Sequence, residues 1–436
     1  MKSLRFEIKI LNSKETLFLF IFSLILTLSL SCNESSDETV IDFWGLGSEG
    51  EFVKQLLPKF EAENPGIKVK VQMVPWTAAQ EKLISAFASN NLPDAFQLGN
   101  TWVPQFAQLE AITDLTEWLR TSDVIKKDKY FVGIWYTNVI DSLVYGIPWY
   151  IDTRILFYRT DVLQEAGFNS PPKTWDELYL LSKKIKEANK NVEKYAIYIP
   201  TNEWANFIIF GLQNGADILK DNNTYGNFSS KKFTEAFSYL TNFYKENLTP
   251  LGVSQVTNVY QAFAEEYFAM YISGPWNISE FKKWMTGDLK NKWMTSSLPG
   301  PSENTKGVSL AGGSSLVISK RSKHKEETWK LIEFLSKPEI QIEFYHLVND
   351  LPAVKEAWED SSLSSNPYMK AFYEQFNYVV ATPKIPEWEQ IVFSKLQQYV
   401  ELAARNVLTV KEALKKLDDD VNVILEKRRW MLNKSK

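Results

Sequence analysis

Tyr145-Gly-Ile-Pro-Trp-Tyr-Ile-Asp-Thr-Arg154 is the stretch on which the fold turns. It reads as an extended run that leaves one α/β unit at Pro148 and enters a second at Ile155. Two large aromatics, Trp149 and Tyr150, sit at the crossing, followed by a carboxylate (Asp152) and a guanidinium (Arg154). Passages between domains are where clefts form and ligands bind. The chain upstream should therefore build one wall of a cleft, and most of the chain downstream the other.

Upstream, Val40-Ile-Asp-Phe-Trp44 reads as a buried strand. Gly45-Leu-Gly-Ser-Glu-Gly50 turns into a helix with Phe52, Val53, Leu56, Leu57 and Phe60 on one face, and Ser48 and Glu51 stand at capping-box spacing. Asn64-Pro-Gly66 ends that helix. Residues 67–74 alternate lysine with apolar residues, as a half-exposed strand does. Thr77 to Gln80 caps the next helix, and residues 95–98 form a short buried strand. Strand, helix, strand, helix, strand predicts a mainly parallel sheet.

Downstream, strands are expected at 155–158, 195–199, 268–273 and 315–318. Helices are expected after the capping box Thr174/Glu177, at 205–213 and at 231–247. Further helices fill 325–336, 338–349, 367–376, 387–403 and the segment from Val410 onward. No internal repeat or low-complexity block interrupts the pattern.

Lys2, Arg5, Lys9 and Lys14 precede a charge-free run from Leu17 to Leu30, the pattern of a signal segment. The run ends in Leu28-Ser-Leu-Ser-Cys32, and Cys32 is the only cysteine of the 436 residues. This resembles a bacterial lipobox, with Ser29 where the box ordinarily carries leucine. The resemblance implies removal of residues 1–31, acylation of Cys32, a tether over 32–37, and anchoring outside the cytoplasmic membrane. One thiol excludes an internal disulfide. The roughly 400 residues that remain suffice for two domains with proper cores. Net charge is −4 and no basic block is present, which excludes nucleic acid as a partner. Fifteen tryptophans exceed what a core asks for.

Gly45-x-Gly47-x-x-Gly50 formally matches a dinucleotide fingerprint. The following strand, however, ends Val74-Pro-Trp76 without the acid that would hold a ribose, and Glu49 would repel a pyrophosphate. The glycines either let a neutral ligand approach the backbone, with Trp44 and Glu49 facing it, or make a plain tight turn. Asn100, Thr101 and Trp102 follow the third strand, where open α/β sheets bind ligands. Amide, hydroxyl and indole suit a neutral polyhydroxyl ligand; a capping Asn and a packed Trp are the alternative. His324 lies in the charged run Lys320 to Glu326 and His346 should pack within a helix, so neither is a catalytic base. No thiol–histidine pair, His/Cys metal cluster or Walker A motif is present. Glu49, Asp152, Glu203, Glu387 and Glu389 all lie near aromatics, which keeps glycoside hydrolysis by a carboxylate pair open.

Phe43-Trp-Gly, Pro58-Lys-Phe-Glu-x-Glu-Asn-Pro-Gly-Ile67, Leu92-Pro-Asp-Ala-Phe96, Tyr145-Gly-Ile-Pro-Trp149, Pro172-Lys-Thr-Trp-Asp-Glu-Leu178, Ser273-Gly-Pro-Trp276, Gly312-Gly313 and Pro383-x-Ile-Pro386 occur in this order along the chain. In that order the chain resembles the extracellular solute-binding proteins of bacterial sugar transporters, the class that includes maltose-binding protein. The resemblance implies a type II two-lobed α/β fold closing about a hinge, with a first lobe of 38–149 plus 302–355 and a second of 150–301 plus 356–436. It implies a monomer that binds a mono- or oligosaccharide without cofactor or metal and delivers it to an ABC permease and its ATPase subunits. A surface glycosidase, or the same fold serving a non-sugar solute, is the alternative. By position in the family pattern, Asn100, Thr101, Trp102, Asp152, Trp204, Trp276, Gly312 and Gly313 are implied to line the site. Trp149, Tyr150, Asn277 and Trp388 are expected to face it, with Arg154 and Glu203 beside them.

Overall fold

The computed structural model describes residues 38–434; the signal segment, Cys32 and the tether lie outside the described residues. In chain order the principal strands are β1 (Thr39–Leu46), β2 (Ile67–Val74), β3 (Ala95–Gly99), β4 (Ile147–Asp152), β5 (Ile155–Arg159), β6 (Tyr195–Tyr198), β7 (Phe268–Ser273), β8 (Trp293–Ser296), β9 (Gly312–Ile318) and β10 (Leu351–Pro352). They form two sheets, each flanked by helices. A six-stranded sheet has the order β10-β4-β9-β3-β1-β2, and a four-stranded sheet the order β8-β5-β7-β6.

The expectation of mainly parallel sheets is corrected. In the first, only β1 with β2 and β1 with β3 run parallel; β9 lies antiparallel to both β3 and β4, and β10 antiparallel to β4. In the second, only β6 with β7 is parallel. The strand–helix–strand rhythm holds for the first three strands. The rest of each sheet is completed by segments returning from far along the chain, which arrive by routes that permit either direction.

The quoted stretch joins the two sheets. β4 pairs with β9 as far as Asp152, and β5 begins at Ile155. Pro148 offers no N–H to a ladder, and the register of β9 shifts opposite it, between Ser314 and Ser315. Side chains alternate across β4. Ile147, Trp149 and Ile151 are buried, and the Trp149 ring stacks on Phe344 at 4.5 Å. Trp149 is thus a core residue rather than a cleft residue.

Local chemistry departs from the sequence pattern in several places. The helix after β1 has no side-chain cap from Ser48; it breaks into Gly47–Phe52, a 3-10 turn and Leu57–Glu63. The next helix begins at Trp76 behind Pro75, not at Thr77. Thr174 caps the helix Trp175–Ala188 by accepting from the Glu177 N–H at 3.2 Å, but the Glu177 carboxylate takes the Lys173 N–H. The late segment expected as one helix from Glu387 opens with a π-helical turn, Gln390–Leu396, before Gln397–Ala404. His346, expected to pack, is exposed.

Two cores result. One gathers Phe43, Phe60, Ile147, Trp149 and Phe344 around the first sheet and continues through Trp358, Phe372 and Phe376 to Phe157 and Trp293. The other holds Leu156, Ile197, Phe207, Phe210, Trp388, Val400 and Leu417 between the second sheet and the late helices. Trp388 is fully buried there against Trp204, so it too is corrected from cleft to core.

Candidate ligand-binding site

A cavity of about 560 Å³ opens between the carboxyl ends of β1, β2 and β3, the β4–β9 pair, and the helices of the second lobe. Of the sequence candidates, Glu49, Asn100, Thr101, Trp102, Tyr150, Asp152, Arg154, Trp204, Trp276, Gly312 and Gly313 line it. Trp44, Trp149, Glu203, Asn277 and Trp388 do not. Trp44 packs with Trp76 and Trp102 against Leu46, Val74 and Ala79 without reaching the cavity, and the Lys82 ammonium lies 4.7 Å from its ring. Asn277 is buried and donates to Ser273 Oγ at 2.8 Å and to the Gly274 carbonyl at 2.9 Å, holding the turn that presents Trp276. Glu203 stands one layer back, capping the helix Trp204–Gln213 and lying 3.9 Å from the Arg154 guanidinium.

Tight backbone places the wall on the first lobe. Asn100 Nδ2 donates to the Gly312 carbonyl at 3.0 Å, its Oδ1 accepts from Ser315 Oγ at 2.8 Å, and its N–H reaches the Gly313 carbonyl at 3.0 Å. A Cβ at Gly312 would meet Asp152 Oδ1 at 2.2 Å. Gly313 has φ +107°, and a Cβ there would meet the Tyr150 carbonyl at 2.3 Å. Only glycine lets β9 pass this close to β4 while Asp152 points into the cavity.

Trp76, which opens the helix after β2, also lines the cavity and was not anticipated. Its indole donates to both Glu49 carboxylate oxygens, at 3.1 and 3.3 Å, and its ring meets Trp102 edge-on with centroids 5.6 Å apart. Its position was legible: it directly follows the carboxyl end of a parallel strand, where ligands bind. Asp350, Thr382, Glu389 and Phe393 also line the cavity and were missed. In the sequence Glu389 reads only as a carboxylate near aromatics. Asp350 carried no signal, because it reaches the site through the pairing of β10 with β4.

Charge is unevenly distributed. Asp152 Oδ1 accepts from Arg154 at 2.8 Å, and Arg154 also lies over the Trp276 ring at 4.7 Å. Burial raises the Asp152 carboxyl above its ordinary range, against the pull of Arg154 and with a push from Glu203. Burial likewise raises Glu389, against the opposing influence of Thr101. Burial, followed by the Glu49 charge, holds the pKa of the Tyr150 hydroxyl well above 10. Four indoles, at Trp76, Trp102, Trp204 and Trp276, offer apolar faces beside these polar groups. The combination can hold a solute with apolar C–H faces and hydroxyl edges.

Comparison with known proteins places this arrangement. The chain matches the structure of the sugar-binding protein MalE from Xanthomonas citri at 42% identity and TM-score 0.87, over 91% of this chain and 99% of that one. An ABC transporter solute-binding protein of Thermotoga lettingae, solved with α-D-tagatose, matches at 27% identity and TM-score 0.73 over 89% and 100%. The galactooligosaccharide-binding protein of Bacillus subtilis is 26% identical over 374 residues, 83% of this chain and 84% of that protein. Residues 44–342 match the family described as bacterial extracellular solute-binding protein. With that match running across both sheets and the two-lobed fold shared along nearly its whole described length, the chain belongs to the bacterial extracellular solute-binding proteins, a family of binding proteins rather than enzymes.

Proposed function

We propose that this chain captures a neutral mono- or oligosaccharide and delivers it to the permease of an ATP-driven importer. The observation that carries the proposal is the cavity itself, where four indoles alternate with carboxylates, a guanidinium and a threonine hydroxyl drawn from both lobes. Sugar rings present C–H faces to aromatics and hydroxyls to such groups. The sugar ligands named for the Thermotoga lettingae and Bacillus subtilis proteins support the same class.

In this proposal the lobes are 38–149 with 302–355 and 150–301 with 356–436, and they close on the ligand by hinge rotation. Because β4 stays in the first sheet to Asp152 and β5 starts at Ile155, the first crossing falls at Thr153-Arg154. Cys32 carries the lipid that keeps the protein at the outer side of the membrane, and the protein works as a monomer without a cofactor.

Thermal unfolding against a panel of mono- and oligosaccharides tests the assignment. A sugar at 100 times its Kd adds about 2.7 kcal/mol of stability. A shift with one sugar class, the sugar recovered intact, supports capture without chemistry. A panel without any shift sinks the assignment.

A further inference from the structure

Two polar atoms of residues that line the cavity are left unmatched, and they are of opposite kinds. Asp350 Oδ2 is out of contact with solvent and receives no hydrogen bond among the described residues. Arg154 Nε is equally buried and, among the described residues, finds no acceptor. Leaving a buried polar group unpaired is expensive, so such pairs mark places where a ligand completes the network. The two acids beside Asp350 are already engaged. Glu49 accepts from Trp76 and Ser48, and Asp152 accepts from Arg154.

We infer that Asp350 is a specificity-determining ligand contact, accepting a hydroxyl of a bound sugar while Arg154 Nε donates to a ring or hydroxyl oxygen of the same ligand. The inference rests on the proposal that the cavity takes sugar, and it names the kind of sugar: one with a free hydroxyl at the Glu49–Tyr150–Asp350 end. A hydroxyl group both donates and accepts, so a polyol satisfies the orphan acceptor and the orphan donor together. An ammonium satisfies only the acceptor and leaves Arg154 Nε unmatched, which is why a polyol is favoured over a cation despite the excess of carboxylates. Asp350 reaches this position because Asn349 ends the helix Pro338–Val348 in the left-handed conformation, φ +64°, and β10 then pairs with β4.

The charged groups facing Asp350 are Glu49 and Asp152, and both oppose its ionisation, after burial itself. A protonated Asp350 accepts through one oxygen only. A sugar that donates to it therefore favours the carboxylate, and binding releases a proton.

The test is calorimetric titration of maltose, trehalose and chitobiose into the wild-type protein and its Asp350→Asn variant, from pH 5 to pH 8. For whichever sugar the wild type binds, D350N should lose at least tenfold in affinity at pH 8. That gap should close toward pH 5, where the protonated acid and the amide resemble each other. Unfolding of ligand-free D350N, no less stable than the wild type, confirms that the fold is intact. Equal affinity of the two proteins, or a loss that is constant across pH, overturns the inference and leaves sugar binding standing. Glucosamine bound more than tenfold tighter than every neutral sugar overturns it in favour of a cation subsite. Failure of the wild type to bind any of these sugars, or any sugar of the mono- and oligosaccharide panel, removes the sugar assignment and the inference with it.

Discussion

Trp76 holds the Glu49 carboxylate through its indole N–H, at 3.1 and 3.3 Å to the two oxygens, and Glu49 is only 4% exposed. A buried carboxylate that loses a donor is left with an unpaid desolvation cost of about 1–3 kcal/mol. Trp76→Phe keeps an aromatic face and removes the donor. It should lower stability by that amount in chemical denaturation, and it should weaken ligand binding. Unchanged stability would mean that Ser48 alone satisfies Glu49.

The tryptophans divide into two classes with opposite phenotypes. Trp102, Trp204 and Trp276 line the cavity, and each replaced by Ala should weaken sugar binding by about 1–3 kcal/mol, the scale of burying such a side chain. Trp149 and Trp388 are core residues, and replacing either by Ala should cost about 3–5 kcal/mol of stability. Denaturation midpoints beside titration calorimetry distinguish the classes. A binding loss confined to Trp149→Ala and Trp388→Ala would invert the assignment.

Gly312 and Gly313 set the approach of β9 to β4. Gly313→Ala forces a side chain into positive φ and against the Tyr150 carbonyl, a strain of about 1–3 kcal/mol before any clash is relieved. Gly312→Ala pushes directly on the Asp152 carboxylate and should impair binding more than stability. Comparison of melting temperature with Kd for the two variants checks the split.

Asp152, Asp350 and Glu389 share a direction: burial, the first cause in each, raises their carboxyls above the ordinary range. Such a group binds its proton more tightly in the folded state. Ligand-free stability therefore rises as pH falls through the raised values, and this gain is complete near the ordinary values of 3.8 for Asp and 4.5 for Glu. Glu266, bonded to Lys194, and Asp420, bonded to Lys395, are pulled down instead. Their stabilisation is present above the ordinary values and is lost as pH falls below them. The ligand-free protein should melt at a higher temperature at pH 5 than at pH 7.5. The reverse order would show that the cavity acids are not the dominant pH-linked groups.

The succession of strands was legible because apolar runs and turn residues announce it, and strand β7 agrees to the residue. Strand direction was not legible, since β4, β9 and β10 meet through contacts that no local pattern encodes. At the site, side-chain parity was the information left unused. Trp149 and Tyr150 are neighbours on one strand and cannot face the same side, so one of them had to be core. Trp388 and Glu389 are likewise adjacent in sequence, and the one that fills the core leaves the other to the cavity. Asp350 stayed hidden for a different reason: it lies far along the chain, with Asn349 and a two-residue strand delivering it.

The four cavity indoles have a consequence for how this protein can be observed. Trp76 and Trp102 meet edge-on at one wall, while Trp276 lies under a guanidinium and is 45% exposed. Indole emission shifts toward the blue when water is displaced, and nearby charges alter its intensity. A solute that fills the cavity displaces water from several of these rings at once. Occupancy is then written into the protein's own fluorescence, without a dye or a fused reporter, against a background set by the remainder of its 15 tryptophans.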